Sequence, residues 1–359
     1  MKNAQQRTPG RFIAGGARPR KATKLLAGAL AATAVVAAAG CSAIGGSSAA
    51  GSAAENVSLS GSATSNAAPI ANGKAAGYQV LTLNDRRDIT FNQLLGINNE
   101  GAIAGYFGSG NAGHPNKGYV LTPPFAQGNF GNENFPGSMQ TQVTGLNDLG
   151  VTVGFFSTQN GATPADDNNF GFWSTRGRFH KVNFPTRNNA NPPVNQLLGV
   201  NNSGVAVGFY NDSKGNSHGY TYRLNGGWFR SVTVHGATSL TAAAINNAGA
   251  IAGFYTNGAG NTNGFVKWQN GRVATLAAPG ASMTQAFGIN DWGEVVGTYT
   301  VGTGDNAVTH GFTWANGKFT TVDYPAASST ALNGVNDEGD IVGFYTDAAG
   351  NTDGFVGLP

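Results

Sequence analysis

The sequence predicts an all-β chain folded as a six-bladed β-propeller of four-stranded blades. Three observations carry that expectation. An apolar run ending in Asn-(Asn/Asp)-x-Gly occurs six times. The 55 glycines and only 11% charged residues favour tight turns and short strands over helices. Each copy is followed by short apolar runs of strand length, bounded by turn residues. The closest pair is NQLLGINNEG from Asn92 and NQLLGVNNSG from Asn195. A chain of 359 residues is long enough to bury one large core or two ordinary ones.

Residues 1–40 read as a signal peptide. Lys2, Arg7, Arg11, Arg18, Arg20, Lys21 and Lys24 form a basic stretch without acids. The apolar run from Leu25 to Gly40 that follows is too short to span a bilayer comfortably. Cys41, the only cysteine, comes next. Ala38-Ala39-Gly40-Cys41 resembles a bacterial lipobox, in which small residues fit the peptidase and the thiol is acylated; Ala38 stands where such motifs usually carry Leu. Lipid attachment at Cys41 would anchor the protein to a membrane of the bacterial envelope or surface. Cleavage after Ala39 without acylation would give a secreted protein instead. With Cys41 so used, the folded part has no thiol for disulfides, catalysis or metal ligation. The first forty residues also hold seven of the 21 basic groups, leaving 14 against 18 acids, a net of −4 rather than the +3 of the whole chain. Nucleic acid is therefore not an expected partner. Residues 41–74, rich in Ser, Ala, Gly and Asn, cannot bury enough apolar surface to order themselves and read as a tether.

Residues 75–359 carry the repeat. Its Asn/Gly pairs are Asn98 and Gly101, Asn147 and Gly150, Asn201 and Gly204, Asn246 and Gly249, Asn290 and Gly293, and Asn336 and Gly339. Their spacings of 49, 54, 45, 44 and 46 match four-stranded blades. The Asn is expected to hydrogen-bond its own turn and the Gly to supply a positive φ. A second strand follows (GAIAGYF, VTVGFF, VAVGFY and their counterparts), apolar on both faces as a doubly covered sheet requires. Its inner glycines, Gly105, Gly154, Gly208, Gly253, Gly297 and Gly343, predict close packing against a neighbouring sheet. A third strand opens on Gly-aromatic and a fourth follows Gly-x-Phe. The last copy ends before its fourth strand, while GYQVLTL, Gly77 to Leu83, precedes the first copy. That strand can complete the last sheet and close a ring without exposed edges.

The pattern G-I-N-(N/D)-x-G-x-(I/V)-x-G-(F/Y)-Y, a polar loop and then H-G-F resembles the extracellular repeat family named for its His-Ala-Phe (HAF) tripeptide, over residues 77–359. The tripeptide appears as His218-Gly219-Tyr220 and His310-Gly311-Phe312, with Lys117, Phe170, Asn263 and Asp353 at the histidine position elsewhere. The resemblance implies a secreted or surface-exposed propeller and leaves its chemistry open.

Candidate sites are sparse. Two histidines in six equivalent positions do not make a metal ring, and they are expected to satisfy turn backbone. The loops from Tyr210, Tyr255 and Tyr345 space oxygen side chains as calcium loops do, but offer at most two carboxylates each. No cofactor is expected, with calcium the exception to test. Asp148, Asp291 and Asp337 share one turn position with Asn99, Asn202 and Asn247. That interchange indicates turn capping, because a catalytic carboxylate does not tolerate an amide. Asp166-Asp167 lies in a long loop, and no nucleophile, zinc or phosphate-loop motif is present. The loops Gly108 to Lys117, Pro123 to Gln140, Ser157 to Asn169 and Pro185 to Asn195 are expanded, and loops carry function on repeat scaffolds. Phe125, Phe130 and Phe135 offer a contact surface there, or pin the loop. Trp292, at a turn tip, reads as tucked against the next blade, with a sugar-stacking platform as the alternative. Trp173, Trp268 and Trp314 read as core.

The functional expectation is a monomeric, non-catalytic binding scaffold for a protein or glycan. An extracytoplasmic enzyme acting on carbohydrate or another polymer is the first alternative, and a structural surface or matrix protein the second. Convergent carboxylates in a deep central pocket would favour the enzyme.

Overall fold

The computed structural model describes residues 71–161 and 163–359. The expected signal peptide, Cys41 and the tether up to residue 70 lie outside the described residues. Among the described residues, apart from three single-turn 3-10 segments, the regular structure is all strand. The first four-stranded antiparallel unit runs Asn92–Ile97, Ile103–Phe107, Lys117–Leu121 and Phe130–Asn132, each strand beside its chain neighbour. The same order recurs in Gln140–Leu146 to Arg178–Val182 and in Asn195–Val200 to Trp228–Ser231. The next two units begin at Ala237–Ile245 and Met283–Ile289, and one parallel pairing, Thr262 with Met283, links them into an eight-stranded sheet.

The C-terminal strands Ser329–Val335, Ile341–Thr346 and Thr352–Leu358 take their fourth partner from the other end of the sequence. Tyr78–Thr82 pairs antiparallel with Thr352–Leu358, Gln79 opposite Leu358 and Thr82 opposite Phe355. A further strand, Ala71–Ala75, folds back on Tyr78–Thr82 through Ala76 and Gly77, both at positive φ. This corrects the tether boundary: pairing begins at Ala71, not after residue 74. The sequence ANGKA has no apolar alternation to announce a strand; its antiparallel pairing with Tyr78–Thr82 defines it.

The first strands of successive units lie against one another, and Ser329–Val335 lies against Asn92–Ile97. Each carries a bulge just before its turn, where the register slips at Leu94/Gly96 and at the five equivalent places. Four of the six bulge residues, Leu95, Leu198, Ala243 and Phe287, gather with Tyr106, Phe209, Phe254 and Phe344 into one apolar cluster drawn from several units; the other two are Thr144 and Asn333.

The glycines serve this arrangement differently from the sequence expectation. A Cβ on Gly105 would lie 2.5 Å from the Gln93 carbonyl oxygen, and one on Gly343 only 1.9 Å from that of Ala331. The close approach is thus to the bulged strand of the same sheet, not to a neighbouring sheet. Contact between sheets falls on the bulge glycines instead. A Cβ on Gly145 would meet the Leu198 carbonyl at 2.6 Å, and one on Gly334 would meet the Gly96 Cα at 3.0 Å.

Candidate functional site: the ring of asparagine turns

Each first strand ends in a turn whose leading Asn uses both ends of its amide. Asn98 Oδ1 accepts the backbone N–H groups of Glu100 and Ala102, closing its own turn, while Gly101 sits at φ 72°. The sequence reading anticipated this half. The other half joins turns: Asn98 Nδ2 donates to the Asn147 carbonyl at 3.1 Å. Asn147 donates to Asn201, Asn201 to Asn246, Asn246 to Asn290 and Asn290 to Asn336, each at 3.0 Å. Asn336 donates back to Asn98 at 3.5 Å and, at 3.0 Å, to its own turn's Asp340. All six asparagines are buried.

The second turn position forms another cycle. The backbone N–H of Asn99 donates to Asp148 Oδ1, Asp148 to Asn202, Asn202 to Asn247, Asn247 to Asp291, Asp291 to Asp337 and Asp337 to Asn99, at 2.7–3.0 Å. These side chains cap the preceding unit's turn, not their own. That explains why Asp and Asn interchange, since either supplies Oδ1. Asp148 Oδ2 accepts amides from both Asn99 and Asn202, Asp337 Oδ2 from Asn99, and Asp291 Oδ2 from Asn247. Each of the three carboxylates thus accepts at least one side-chain amide that offsets its charge, although Asp291 and Asp337 occupy adjacent turns.

Inside the turns lies a cavity of about 70 Å³ lined by the two asparagine positions. A second of about 80 Å³ lies beneath it, sharing a girdle of Ile97, Leu146, Val200, Ile245, Ile289 and Val335. Asn333 lines the lower one with neither polar side-chain atom hydrogen-bonded. The only turn position free of these duties is the third, occupied by Glu100, Leu149, Ser203, Ala248, Trp292 and Glu338. Trp292 is 80% exposed and Leu149 68%. Trp292 reaches the next turn only by its Nε1–H, 3.0 Å from the Asp337 carbonyl. The expectation that it is tucked against its neighbour is corrected. The indole is tethered by one edge, and its faces remain in solvent.

The expanded loops hold the opposite surprise. Phe130 is buried and meets Tyr119 edge-on, Phe135 stacks on Phe156 at 3.7 Å, and Phe125 packs against the cluster around Leu83 and Leu94. They pin the Pro123 to Gln140 loop and form no exposed contact surface. His218 and His310 do not cap backbone either. His218 Nε2 lies 3.0 Å from Asp212 Oδ2, and His310 Nδ1 lies 2.8 Å from Asp323 Oδ2. Each ring also stacks on a tyrosine, Tyr210 or Tyr299. Burial would push the Asp212 carboxyl up, but hydrogen bonds from His218 and the N–H groups of Asn216 and Lys214 outweigh it and hold its pKa at about 2. In the loops suggestive of calcium, Asp212, Asn257 and Asp347 turn Oδ1 onto their own backbone N–H groups. Hairpin closure accounts for them. Trp173, Trp268 and Trp314 pack half-buried at core edges.

No family model matches the chain, and no curated protein does. Among solved structures it is similar to a triple arginine-to-alanine mutant of AofleA from Arthrobotrys oligospora, at 12% identity and a TM-score of 0.48, over 78% of this chain and 86% of that one. A TolB candidate from Agrobacterium tumefaciens matches at 10% identity and 0.47, over 80% and 100%. The β-propeller domain of the Trilobed protease from Pyrococcus furiosus matches at 11% and 0.40, over 75% and 94%. None of these likenesses assigns the chain an activity, a ligand or a partner.

The mixed ring makes a pH-dependent prediction. Asn99→Asp keeps the Oδ1 acceptor but sets a fourth carboxylate against Asp148 and Asp337 in place of the amide donor. Like charges raise the folded-state pKa values of these groups, so stability is retained at low pH and lost as pH rises through them. The variant is expected to lose about 1–2 kcal/mol at pH 7 and to recover most of it near pH 4. Thermal unfolding at the two pH values checks this, and an equal deficit at both would contradict it.

Proposed function

We propose that this chain is an exported β-propeller of six four-stranded blades, closed by Tyr78–Thr82 in the last blade, anchored through a lipid on Cys41, and working as a non-catalytic binding scaffold. Six turns linked in a cycle support the blade count, and the pairing of Tyr78–Thr82 with Thr352–Leu358 supports the closure. The basic and apolar run ending at the solitary Cys41 supports the anchor and an envelope location. Among the described residues no helix is long and apolar enough to cross a membrane.

The observation that carries the binding reading is the exposed Trp292 at the lip of the turn ring, with Leu149 in the equivalent place on another turn. A ring with both faces in solvent offers a stacking platform for a sugar or a side chain, surrounded by amide and carboxylate oxygens. The cavity inside the ring, about 70 Å³, is far below the ~300–1,000 Å³ of small-molecule sites. A ligand on this face is therefore a surface partner, a glycan or a protein. The second-position carboxylates Asp148, Asp291 and Asp337 have both oxygens engaged by turn N–H and amide groups.

Screening the full chain against glycans, polymers and envelope proteins tests the reading. Trp292→Ala is expected to weaken the ligand found by tenfold or more, a loss of about 1.4 kcal/mol or above, with little change in thermal stability. Undiminished binding by this variant would overturn the assignment of the turn face. For the anchor, detergent partitioning of the wild type and Cys41→Ala is expected to move the variant alone into the aqueous phase; identical partitioning would remove the lipid from the account.

A further inference from the structure

A small pocket outside the turn ring is lined by Asn116 of the first unit and by Gln142, Phe155, Phe156, Ser157 and Asp167 of the second, among others. Three features set it apart. The Asn116 Oδ1 and Gln142 Oε1 atoms accept no hydrogen bond, although both side chains are at least nine-tenths buried. Asp167, from the expanded loop, is only 3% exposed. Its carboxylate accepts the Gly161 N–H and an amide hydrogen of Gln140, but no Lys, Arg or His pairs with it among the described residues. The pocket itself is about 20 Å³, room for a single water-sized body.

The missing partners have a traceable origin. In the first unit the equivalent glutamine, Gln93, receives the Tyr106 hydroxyl at 2.7 Å. The second unit carries Phe155 in place of that tyrosine, so Gln142 Oε1 has no donor there. Gln196 and Gln285 also end unpartnered. Around the same cavity stand Asn116, from the first unit just before Lys117–Leu121, and the buried carboxylate of Asp167, from the second. A water could donate two hydrogens to this group of acceptors and would leave the negative charge uncompensated. A hard cation meets all of them with the ligand type it prefers.

We propose that this pocket is a cation site, in which Asn116 Oδ1, Gln142 Oε1 and the Asp167 carboxylate hold a calcium-sized ion. Among the described residues no three His, Asp or Glu side chains converge, so a single carboxylate with amide oxygens is the donor set on offer. One carboxylate points to weak affinity, with Kd on the order of 10⁻⁴–10⁻³ M, the range of extracellular calcium modules. The site is distinct from the loops at Asp212 and Asp347, whose oxygens close their own turns.

Calorimetric titration of the chelator-treated full chain with CaCl₂, and separately with NaCl, tests the site. One saturable calcium site per chain is expected, with a rise in Tm, and both are lost or weakened roughly tenfold or more in Asp167→Asn and in Gln142→Leu. Either variant suffices if the other fails to fold. Asp212→Asn and Asp347→Asn are expected to bind as the wild type does. No saturable calcium binding would mean that water alone fills the pocket and would overturn the proposal. So would saturation by sodium alone, or calcium binding that survives both pocket substitutions.

Discussion

The side-chain amide of the leading turn asparagine is the interaction on which the rest of the structure depends. Its oxygen closes one turn while its nitrogen holds the next. These amides are buried, so a link left unmade would strand a donor or a carbonyl at a cost of about 1–3 kcal/mol. The second cycle, from backbone N–H to Oδ1 of the next turn, runs beside it and passes between Asp337 and Asn99 at 2.9 Å, where the first cycle is longest. Two cycles of short bonds leave little freedom at the centre. They also explain why the bulge, its glycine and the turn glycine recur together: each brings neighbouring backbones close enough for these bonds to form.

A centre so constrained leaves chemistry to whatever the cycles do not use. Leading Asn, second Asn or Asp, and final Gly are all occupied with structure. The third turn position is free, and there the copies diverge from Ala248 and Ser203 to Leu149 and Trp292. The expanded Pro123 to Gln140 loop, rich in phenylalanine, is a less available surface, because Phe130 and Phe135 anchor it from within. Aromatic content in a loop is thus a poor guide to contact when a hydrophobic cluster lies within its reach.

The strand pattern was legible because it rests on local chemistry. The period of the Asn-x-x-Gly turns, the positive φ of Gly101 and its counterparts, and the Tyr78–Thr82 strand could be read directly. What escaped was chemistry between copies. Nothing in one repeat shows that Asn98 Nδ2 reaches Asn147, 49 residues on, or that Asp148 caps the turn of Asn99. The Asp/Asn interchange was legible as turn capping, but which turn is capped was not, since sequence cannot say whose N–H is nearest. The exposure of Trp292 was misread for a similar reason: a neighbour that binds only the indole N–H leaves its faces bare. The Asn116, Gln142 and Asp167 pocket gave no signal, because it draws on separate strands and loops whose residues are individually ordinary.

The central claim is that the turns form a continuous cycle, with the seam between Asp337 and Asn99 equivalent to every other junction. Native-state hydrogen exchange of the backbone amides of Asn99, Asp148, Asn202, Asn247, Asp291 and Asp337 tests it most directly, because each of these N–H groups is the donor across one junction. The account predicts protection that agrees within about tenfold among all six and approaches the level of global unfolding. An Asp337 amide that exchanges orders of magnitude faster than the other five would show an open array and contradict it.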